Sequence, residues 1–332
     1  MKREVKRISV ILAILSISFS SCITRALRKS SSNDKFLTYN LSKENIYSSL
    51  KWGPEKRSLF LPVKIDNYPD TVYLQLDFGT GVSVFIERGI SIIMQDTSIK
   101  NKIVIKNGKY YYSNPIIHLN DKEFISCNYL PINNYTNIEG YKISNDSLAK
   151  KYKPTNDDFL IIGTLGYDMI YNRTFVLDFK NNEYCLTENL QDSSITKPEY
   201  RVKASVYEWP LIINAKYRNK RRRLIFDTGS SGIGLALFEK DWKKSKGEKI
   251  DTLRNMMSWG REMFTVEKIT FEKLIINNEV YSNFPIITSE VVEKQKFAFR
   301  LLRTKGIIGN YLFYDKTIVI DTKNDELWIK NY

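Results

Sequence analysis

Short apolar runs separated by polar turn residues dominate the chain after about residue 45. Val, Ile, Leu, Tyr and Phe either alternate with polar residues or follow one another directly, and Asn, Asp, Gly and Lys lie between the runs. This pattern is typical of β-strands joined by tight turns. Helical periodicity is scarce, and the best candidates are the short segments 238–246 and 145–153. The pattern predicts an all-β fold with few helices.

Five landmarks occur twice in the same order, which indicates an internal repeat. Each half has a strand–turn–strand pattern that leads to an aspartate, Asp77 in LQLDFGTG and Asp227 in LIFDTGSS. A hairpin signal with a glycine follows, then the segment CNYLPI or SNFPII, and finally a segment that begins GTLGYD or GIIGNY. A repeat of this length predicts two similar β lobes, residues 46–196 and 197–332, rather than a solenoid of small units.

The N-terminal residues have the pattern of an export signal. Residues 1–3 are basic, residues 8–19 are apolar, and two serines precede Cys22. Such an ending resembles a bacterial lipoprotein signal (residues 1–21) and implies a lipid on Cys22, with an ordinary secretory signal as the alternative. Residues 22–45 are polar and predict a flexible tether. We therefore expect a lipid-anchored protein of the bacterial cell envelope that faces the periplasm.

The formal net charge of +14 raises the question of an anionic partner. The basic residues are scattered, and the densest cluster, residues 218–223, coincides with a predicted hairpin turn. We therefore expect no nucleic-acid partner and a solvated basic turn. Attraction to anionic lipid or envelope polymers stays open as an alternative.

Residue counts restrict the chemistry. Because His118 is the only histidine, a multi-histidine metal site is impossible within one chain. His118 lies in an apolar run, and we expect a core or edge-strand residue there. Cys127 and Cys185 remain after signal cleavage and could form a disulfide or stay buried and separate, because the sequence does not fix their distance.

The repeated aspartate motifs resemble those of the pepsin-like, two-lobed aspartic proteases over nearly all of the chain beyond the tether. In that family each lobe supplies an Asp-Thr/Ser-Gly-Thr/Ser turn and a later hydrophobic-hydrophobic-Gly segment that passes beneath it. Asp227-Thr228-Gly229-Ser230 with Ile307-Ile308-Gly309 matches fully. Asp77-Phe78-Gly79-Thr80 with Thr164-Leu165-Gly166 departs from the pattern at Phe78.

The resemblance implies that Asp77 and Asp227 are the catalytic pair of an endopeptidase. Two neighbouring carboxylates cannot both ionise readily, so one can activate water while the other protonates the substrate. We expect no metal and no organic cofactor. The expected substrate is an extended, largely apolar segment of a peptide or protein, bound between the lobes of a monomer.

Residues next to the aspartates have expected supporting roles. Gly79 and Gly229 allow close approach of the backbone to the carboxylates. Thr80 and Ser230 offer hydroxyls that can hydrogen-bond the carboxylate oxygens and favour the ionised form.

The residue after each aspartate bonds across the two turns in the family. Thr228 can do so and Phe78 cannot, which removes a hydrogen bond worth about 1 kcal/mol. Phe78 therefore motivates an alternative function, a catalytically weak or inactive protein that binds peptides or envelope components on the same fold.

Aromatic residues follow two hairpin signals. The turn Asn107-Gly108 lies where the family has its flap, and Tyr110 and Tyr112 share one side of the returning strand. Either tyrosine could line the cleft or be an ordinary strand residue, and Trp259 is an equally open counterpart in the second lobe.

Two other interpretations of Asp motifs are set aside. Asp178 and Asp321 precede Asn/Lys turns and lack the Gly-Thr/Ser sequel, so they are expected to initiate turns. LDFGTG alone also fits the phosphate-binding turn of the actin and sugar-kinase superfamily. That superfamily does not predict the second motif around Asp227.

Overall fold

A computed structural model describes residues 37–53, 56–133, 160–258 and 261–331. Residues Tyr39–Tyr332, which contain both lobes, form one compact unit. Within the described ranges, no helix has the length and apolar character needed to cross a membrane.

The first lobe consists of short strands with two short helices. Its strands are β1 (Thr38–Asn40), β2 (Ser48–Ser49), β3 (Lys51–Trp52), β4 (Leu59–Ile65), β5 (Val72–Leu76), β6 (Val84–Ile86), β7 (Ile103–Lys106), β8 (Lys109–Ser113), β9 (Ile116–His118), β10 (Phe124–Ser126), β11 (Tyr129–Asn133), β12 (Ile161–Leu165), β13 (Thr174–Asp178) and β14 (Glu183–Thr187). Its α-helices are α1 (Glu87–Ile93) and α2 (Thr97–Lys100), and a 3-10 helix spans Tyr167–Ile170.

The second lobe has the same kind of elements. Its strands are β15 (Ala204–Ser205), β16 (Ile212–Tyr217), β17 (Lys220–Phe226), β18 (Leu235–Ala236), β19 (Gly247–Ser258), β20 (Arg261–Thr270), β21 (Leu274–Ile276), β22 (Glu279–Tyr281), β23 (Phe284–Ser289), β24 (Ile307–Ile308), β25 (Lys316–Asp321) and β26 (Glu326–Asn331). Its α-helices are α3 (Glu239–Lys244), α4 (Glu290–Lys294) and α5 (Lys296–Leu301), and 3-10 helices span Pro198–Tyr200 and Asn310–Phe313.

The two lobes have the same strand order. The first contains the path β10-β9-β4-β5-β12-β6-β11-β8-β7, and the second contains β22-β21-β16-β17-β24-β18-β23-β20-β19. In both, the late apolar strand (β12 or β24) lies parallel to the strand that precedes the aspartate and antiparallel to the strand that follows it. The all-β, two-lobe fold predicted from the repeat is confirmed.

A separate sheet joins the lobes. Its order is β2-β14-β13-β25-β26, so the last hairpin of each lobe contributes to it. At its centre β13 and β25 pair antiparallel with Val176 opposite Val319. Both strands are buried along their whole length, which explains why three apolar residues follow one another at the centre of each (175–177 and 318–320) instead of alternating with polar ones.

The turn predictions agree with the backbone. Asn107 and Gly108 have φ of 50° and 73°, and Arg218 and Asn219 have φ of 51° and 58°. Positive φ at both central residues is typical of two-residue hairpin turns whose twist matches the strands. The basic segment 218–223 therefore includes a turn and the start of β17, as expected.

The two carboxylates that were assigned to turns do hold turns. Asp178 accepts hydrogen bonds from the amide and side chain of Asn181 (3.1 and 2.8 Å). Asp321 accepts the equivalent bonds from Asn324 (3.0 and 2.7 Å).

The helix and tether predictions are partly corrected. Helix α3 confirms the candidate 238–246, whereas 145–153 lies outside the described residues. Helices α1, α2, α4 and α5 were not predicted, because one or two turns are too short to show helical periodicity. The tether was predicted to extend to residue 45, but Tyr39 already donates hydrogen bonds to the carbonyls of Asp168 and Met169 (2.8 and 3.0 Å).

The cysteines and the histidine occupy ordinary structural positions. Cys127 and Cys185 are free and buried, and burial raises the pKa of each thiol to about 12. His118 lies on β9, which pairs with both β4 and β10 and is therefore not an edge strand. Its ring lies beside that of Phe124.

Candidate active site between the lobes

Asp77 and Asp227 occupy equivalent positions at the ends of two buried strands. The amide of Asp77 donates to the carbonyl of Leu165 (3.0 Å), and the amide of Asp227 donates to that of Ile308 (3.0 Å). Each acceptor belongs to the hydrophobic-hydrophobic-Gly segment of its own lobe. Both aspartates are partly exposed as whole residues.

Each carboxylate lies against the glycine of the opposite turn. A Cβ atom on Gly79 would lie 2.5 Å from Oδ1 of Asp227, and a Cβ on Gly229 would lie 2.7 Å from Oδ1 of Asp77. Because real side chains do not approach so closely, only glycine fits at either position. The two crossed approaches bring the carboxyl groups together, close enough for the charge of Asp227 to raise the pKa of Asp77.

Backbone amides and one hydroxyl surround the pair. The amide of Gly79 donates to Oδ1 of Asp77, and that of Gly229 donates to Oδ1 of Asp227 (2.9 Å each). The hydroxyl of Ser230 donates to Oδ2 of Asp227 (2.9 Å). Asp227 therefore has a hydroxyl donor as well as an amide.

The hydroxyl of Thr80 differs from the expectation. It donates to the carbonyl of Val82 (3.2 Å) and not to the Asp77 carboxylate. A threonine in a turn readily bonds a nearby backbone group, and here that local bond replaces the one expected. Only the backbone of Thr80 supports Asp77, because its amide favours the ionised carboxylate.

One hydrogen bond connects the two turns directly. The amide of Phe78 donates to Oγ1 of Thr228 (2.9 Å), and both residues are fully buried. Phe78 has no hydroxyl with which to accept the reciprocal bond from the amide of Thr228. Its ring instead packs edge-on against Phe175, with ring centroids 5.5 Å apart. Aromatic packing thus occupies the place of the second cross-turn bond.

Two side chains that the sequence analysis missed hold the carbonyls after the aspartates. Trp209 Nε1 donates to the carbonyl of Phe78 (3.2 Å), and Asn310 Nδ2 donates to that of Thr228 (2.9 Å). The position of Asn310, directly after Ile-Ile-Gly, was a usable signal. Nothing in the sequence pattern distinguishes Trp209 from other strand aromatics.

A partly buried carboxylate outside the pair, that of Asp168, supports the first lobe. Asp168 accepts bonds from the hydroxyl and the amide of Ser83 (2.6 and 2.8 Å). The amide of Gly166 donates in turn to the Ser83 hydroxyl (3.0 Å). Gly166 follows Leu165, the residue that holds the Asp77 amide, so this chain of bonds fixes the segment beneath Asp77.

Burial and neighbouring charge shift two carboxyl groups. Removal from water, and then the Asp227 carboxylate, hold the pKa of Asp77 well above its ordinary value, against the opposing effect of the Gly79 and Thr80 amides. Burial raises the pKa of Asp168 from 3.8 to about 6, against the opposing bonds from Ser83.

The flap candidates have different positions. Tyr112 is fully buried, and its hydroxyl donates to Oδ2 of Asp66 (2.6 Å). The prediction that Tyr112 could bind substrate is therefore wrong, because its side chain lies in the core of the first lobe. Tyr110 lies two residues nearer the hairpin tip and is 47% exposed, opposite Ile105, which is 64% exposed. Trp259 lies outside the described residues, although the flanking strands β19 and β20 pair as a long hairpin.

Comparison with known proteins adds no relative. No model of a known protein family matches the chain, and no curated protein sequence matches it significantly. Within the described ranges, no group of three or more His, Cys, Asp or Glu side chains is arranged to hold a metal ion. The functional argument therefore depends on the geometry around Asp77 and Asp227.

The bond between the two turns can be tested with Thr228→Val. This change keeps the side-chain shape but leaves the buried Phe78 amide without its acceptor, which should cost about 1–3 kcal/mol of unfolding free energy. Thr228→Ser is the matched control, because it keeps the hydroxyl. We expect the Phe78 amide to exchange with deuterium much faster in the valine variant only. Equal protection of that amide in both variants would contradict the assignment.

The raised pKa values of Asp77 and Asp168 predict that these two groups stabilise the folded protein more at acidic than at neutral pH. The native protein binds a proton at each of these carboxyl groups more tightly than the unfolded chain does, so the stabilisation is complete below about pH 4. The contribution of Asp168 is lost as the pH rises through about 6, and that of Asp77 is lost as the pH rises through its own raised pKa. Asp168→Asn should remove the Asp168 part of this loss, so that the unfolding free energy falls by on the order of 2 kcal/mol less as the pH rises through about 6. Urea unfolding at a series of pH values measures it, with the surface change Asp121→Asn as the control. A slope unaltered by Asp168→Asn would refute the prediction.

Proposed function

We propose that the protein is an aspartic endopeptidase that hydrolyses peptide bonds with water activated between Asp77 and Asp227. The observation that carries the proposal is the crossed approach of each carboxylate to the glycine of the other turn. Two lobes with matched strand order supply one carboxylate each, and a pair so close must share protons.

The donors around the pair support a division of roles. Asp227 receives the Ser230 hydroxyl and the Gly229 amide, which favour its ionised form. Among the described residues no hydroxyl donates to Asp77, and its raised pKa favours the protonated form. Asp227 is therefore the base and Asp77 the acid.

The reaction follows from these roles. The Asp227 carboxylate removes a proton from water as the water oxygen bonds to the scissile carbonyl carbon, and Asp77 gives its proton to the carbonyl oxygen. The resulting neutral diol collapses when the amide nitrogen receives a proton from Asp227 and the C–N bond breaks. Asp77 recovers its proton from the diol hydroxyl as the new carboxylic acid forms.

The proposed substrate is an extended peptide segment with apolar side chains. The hairpin β7–β8 presents Ile105 and Tyr110 to solvent on the lobe that carries Asp77. An apolar hairpin tip favours apolar side chains on a strand-like substrate.

The site belongs, in this proposal, to a monomeric lipoprotein of the bacterial envelope. The sequence of residues 1–22 supports export and a lipid at Cys22, and we propose the periplasm as its location. Peptides or proteins of that compartment are then the substrates, and no cofactor or nucleic acid takes part.

One observation favours a second function. The buried Phe78 cannot form the reciprocal bond between the turns, so the two turns are connected by one direct hydrogen bond, and the ring of Phe78 packs on Phe175 instead. A protein that binds peptides or envelope components without cutting them is the resulting alternative. Retention of both aspartates and both glycines supports the protease.

Cleavage of a mixed peptide library between roughly pH 3 and 7 tests the proposal. We expect Asp77→Asn and Asp227→Asn each to lower kcat/KM by roughly a thousandfold or more, because each removes one half of the acid–base pair. Asp121→Asn should have no effect. Peptide binding without cleavage over the whole range would favour the second function, and cleavage that survives both changes would refute the carboxyl pair.

The proposed division of roles makes a further prediction for Ser230→Ala. Loss of its hydroxyl removes a donor to the ionised partner, so the acidic limb of the pH profile of kcat/KM should move to higher pH. Ser230→Thr keeps a hydroxyl and should leave the limb in place. An identical profile for the alanine variant would contradict the assignment of Asp227 as the base.

A further inference from the structure

The second lobe has a strongly basic sheet face at a distance from the carboxyl pair. In the hairpin β16–β17, Lys216 lies directly opposite Arg221, and Asn214 lies opposite Arg223. Residues opposite each other in an antiparallel pair project from the same face. Lys203 and Lys305 border this face, because the Lys203 carbonyl accepts from the Asn214 amide and the Lys305 amide donates to the Arg223 carbonyl (2.9 Å each).

We call these cations the basic face. Its members are Lys203, Lys216, Arg221, Arg223 and Lys305. All are exposed except Arg223, which is partly buried. In the described parts of the chain, none of these five side chains forms an ion pair or a hydrogen bond.

The neighbouring carboxylates neutralise other cations. Asp241 pairs with Arg222, whose side chain lies on the opposite face of the hairpin. The other two nearby ion pairs are Glu272 with Arg218 and Glu279 with Lys316. The basic face is therefore uncompensated although carboxylates are present in the same lobe.

Such an arrangement opposes folding. Like charges directly opposite each other in an antiparallel pair destabilise it, and Lys216 with Arg221 is such a pair. An anionic partner would relieve the repulsion on binding. The sequence pattern that suggested a solvated turn does not account for this placement, because Lys216 and Arg223 lie in the strands and not in the turn.

The same face continues into apolar residues. Ile275 lies opposite Lys216, and Val280 lies opposite Ile275 and is 52% exposed. Nucleic-acid surfaces commonly place aromatic side chains among the cations for base stacking, whereas these cations alternate with Asn, Ile and Val. A surface that combines cations with exposed aliphatic side chains suits the headgroup region of a bilayer.

We propose that the basic face docks the second lobe on an anionic phospholipid bilayer. Charge complementarity carries the proposal. The lipid that the sequence predicts on Cys22 would keep the compact unit, which begins at Tyr39, close to such a surface. Arg221 and Asp227 are six residues apart along β17, or about 20 Å. Docking therefore leaves the carboxyl pair free, and this proposal does not depend on the protease function.

Vesicle flotation tests the proposal with residues 37–332. The compact unit Tyr39–Tyr332 includes both lobes, and residues 8–19 are omitted because an apolar segment binds any vesicle. We expect binding to phosphatidylcholine vesicles that contain about 30 mol% phosphatidylglycerol, and little binding to phosphatidylcholine alone. Each cation near an anionic surface strengthens binding about fivefold, so Lys216→Gln, Arg221→Gln and Arg223→Gln together should weaken it roughly a hundredfold.

A matched variant separates the basic face from net charge. Lys64→Gln, Lys100→Gln and Lys122→Gln remove the same charge from exposed positions of the first lobe and should cost much less binding. Thermal unfolding checks that both variants fold, and the face variant should unfold at an equal or higher temperature because the Lys216–Arg221 repulsion is gone. Equal losses for the two variants, or no loss for the face variant, would overturn the proposal. Tighter face-dependent binding to DNA than to vesicles at about 0.15 M salt would assign the face to nucleic acid instead.

Discussion

The approach of two carboxylates to each other's glycine turns is the constraint on which the centre of this molecule depends. Asp77 lies over Gly229 and Asp227 lies over Gly79, at distances that exclude any Cβ. Two acidic groups held so close repel each other when both ionise, so the fold must supply rigidity that offsets the repulsion. The segments Ile161–Leu165 and Ile307–Ile308 pass beneath the turns and provide it from each lobe, and the sheet that joins β13 to β25 fixes one lobe against the other.

The two lobes meet this constraint by different means. In the second lobe, side-chain hydrogen bonds hold the turn: the Ser230 hydroxyl donates to Asp227, and the Asn310 amide donates to the Thr228 carbonyl. In the first lobe, the ring of Phe78 packs on Phe175, and Ser83 with Asp168 secures the segment below Asp77. The asymmetry gives the two carboxylates different surroundings, which is what an acid and a base in one pair require.

The sequence predicted the architecture because the repeat is long and ordered. The two β lobes, the positions of Asp77 and Asp227 at strand ends, and the turn roles of Asp178 and Asp321 all follow from local patterns that recur. Contacts between distant segments were not predictable in the same way. The burial of Tyr112 depends on a distant segment, because its hydroxyl donates to Asp66, and alternation along a strand does not show at which residue a hairpin extends beyond the core. Thr80 is a different case, because its hydroxyl bonds the nearby carbonyl of Val82 instead of the Asp77 carboxylate. Likewise, the basic face appears only when register places Lys216 against Arg221.

An NMR pH titration of the protein labelled with carbon-13 at the aspartate carboxyl groups can show whether Asp77 and Asp227 share a proton. The Asp77 signal is assigned from its loss in Asp77→Asn. We expect Asp77 to titrate well above an ordinary aspartate, and its titration to move to lower pH when Asp227→Asn removes the neighbouring charge. An Asp77 signal that titrates in the ordinary range, and that does not respond to Asp227→Asn, would refute the shared proton.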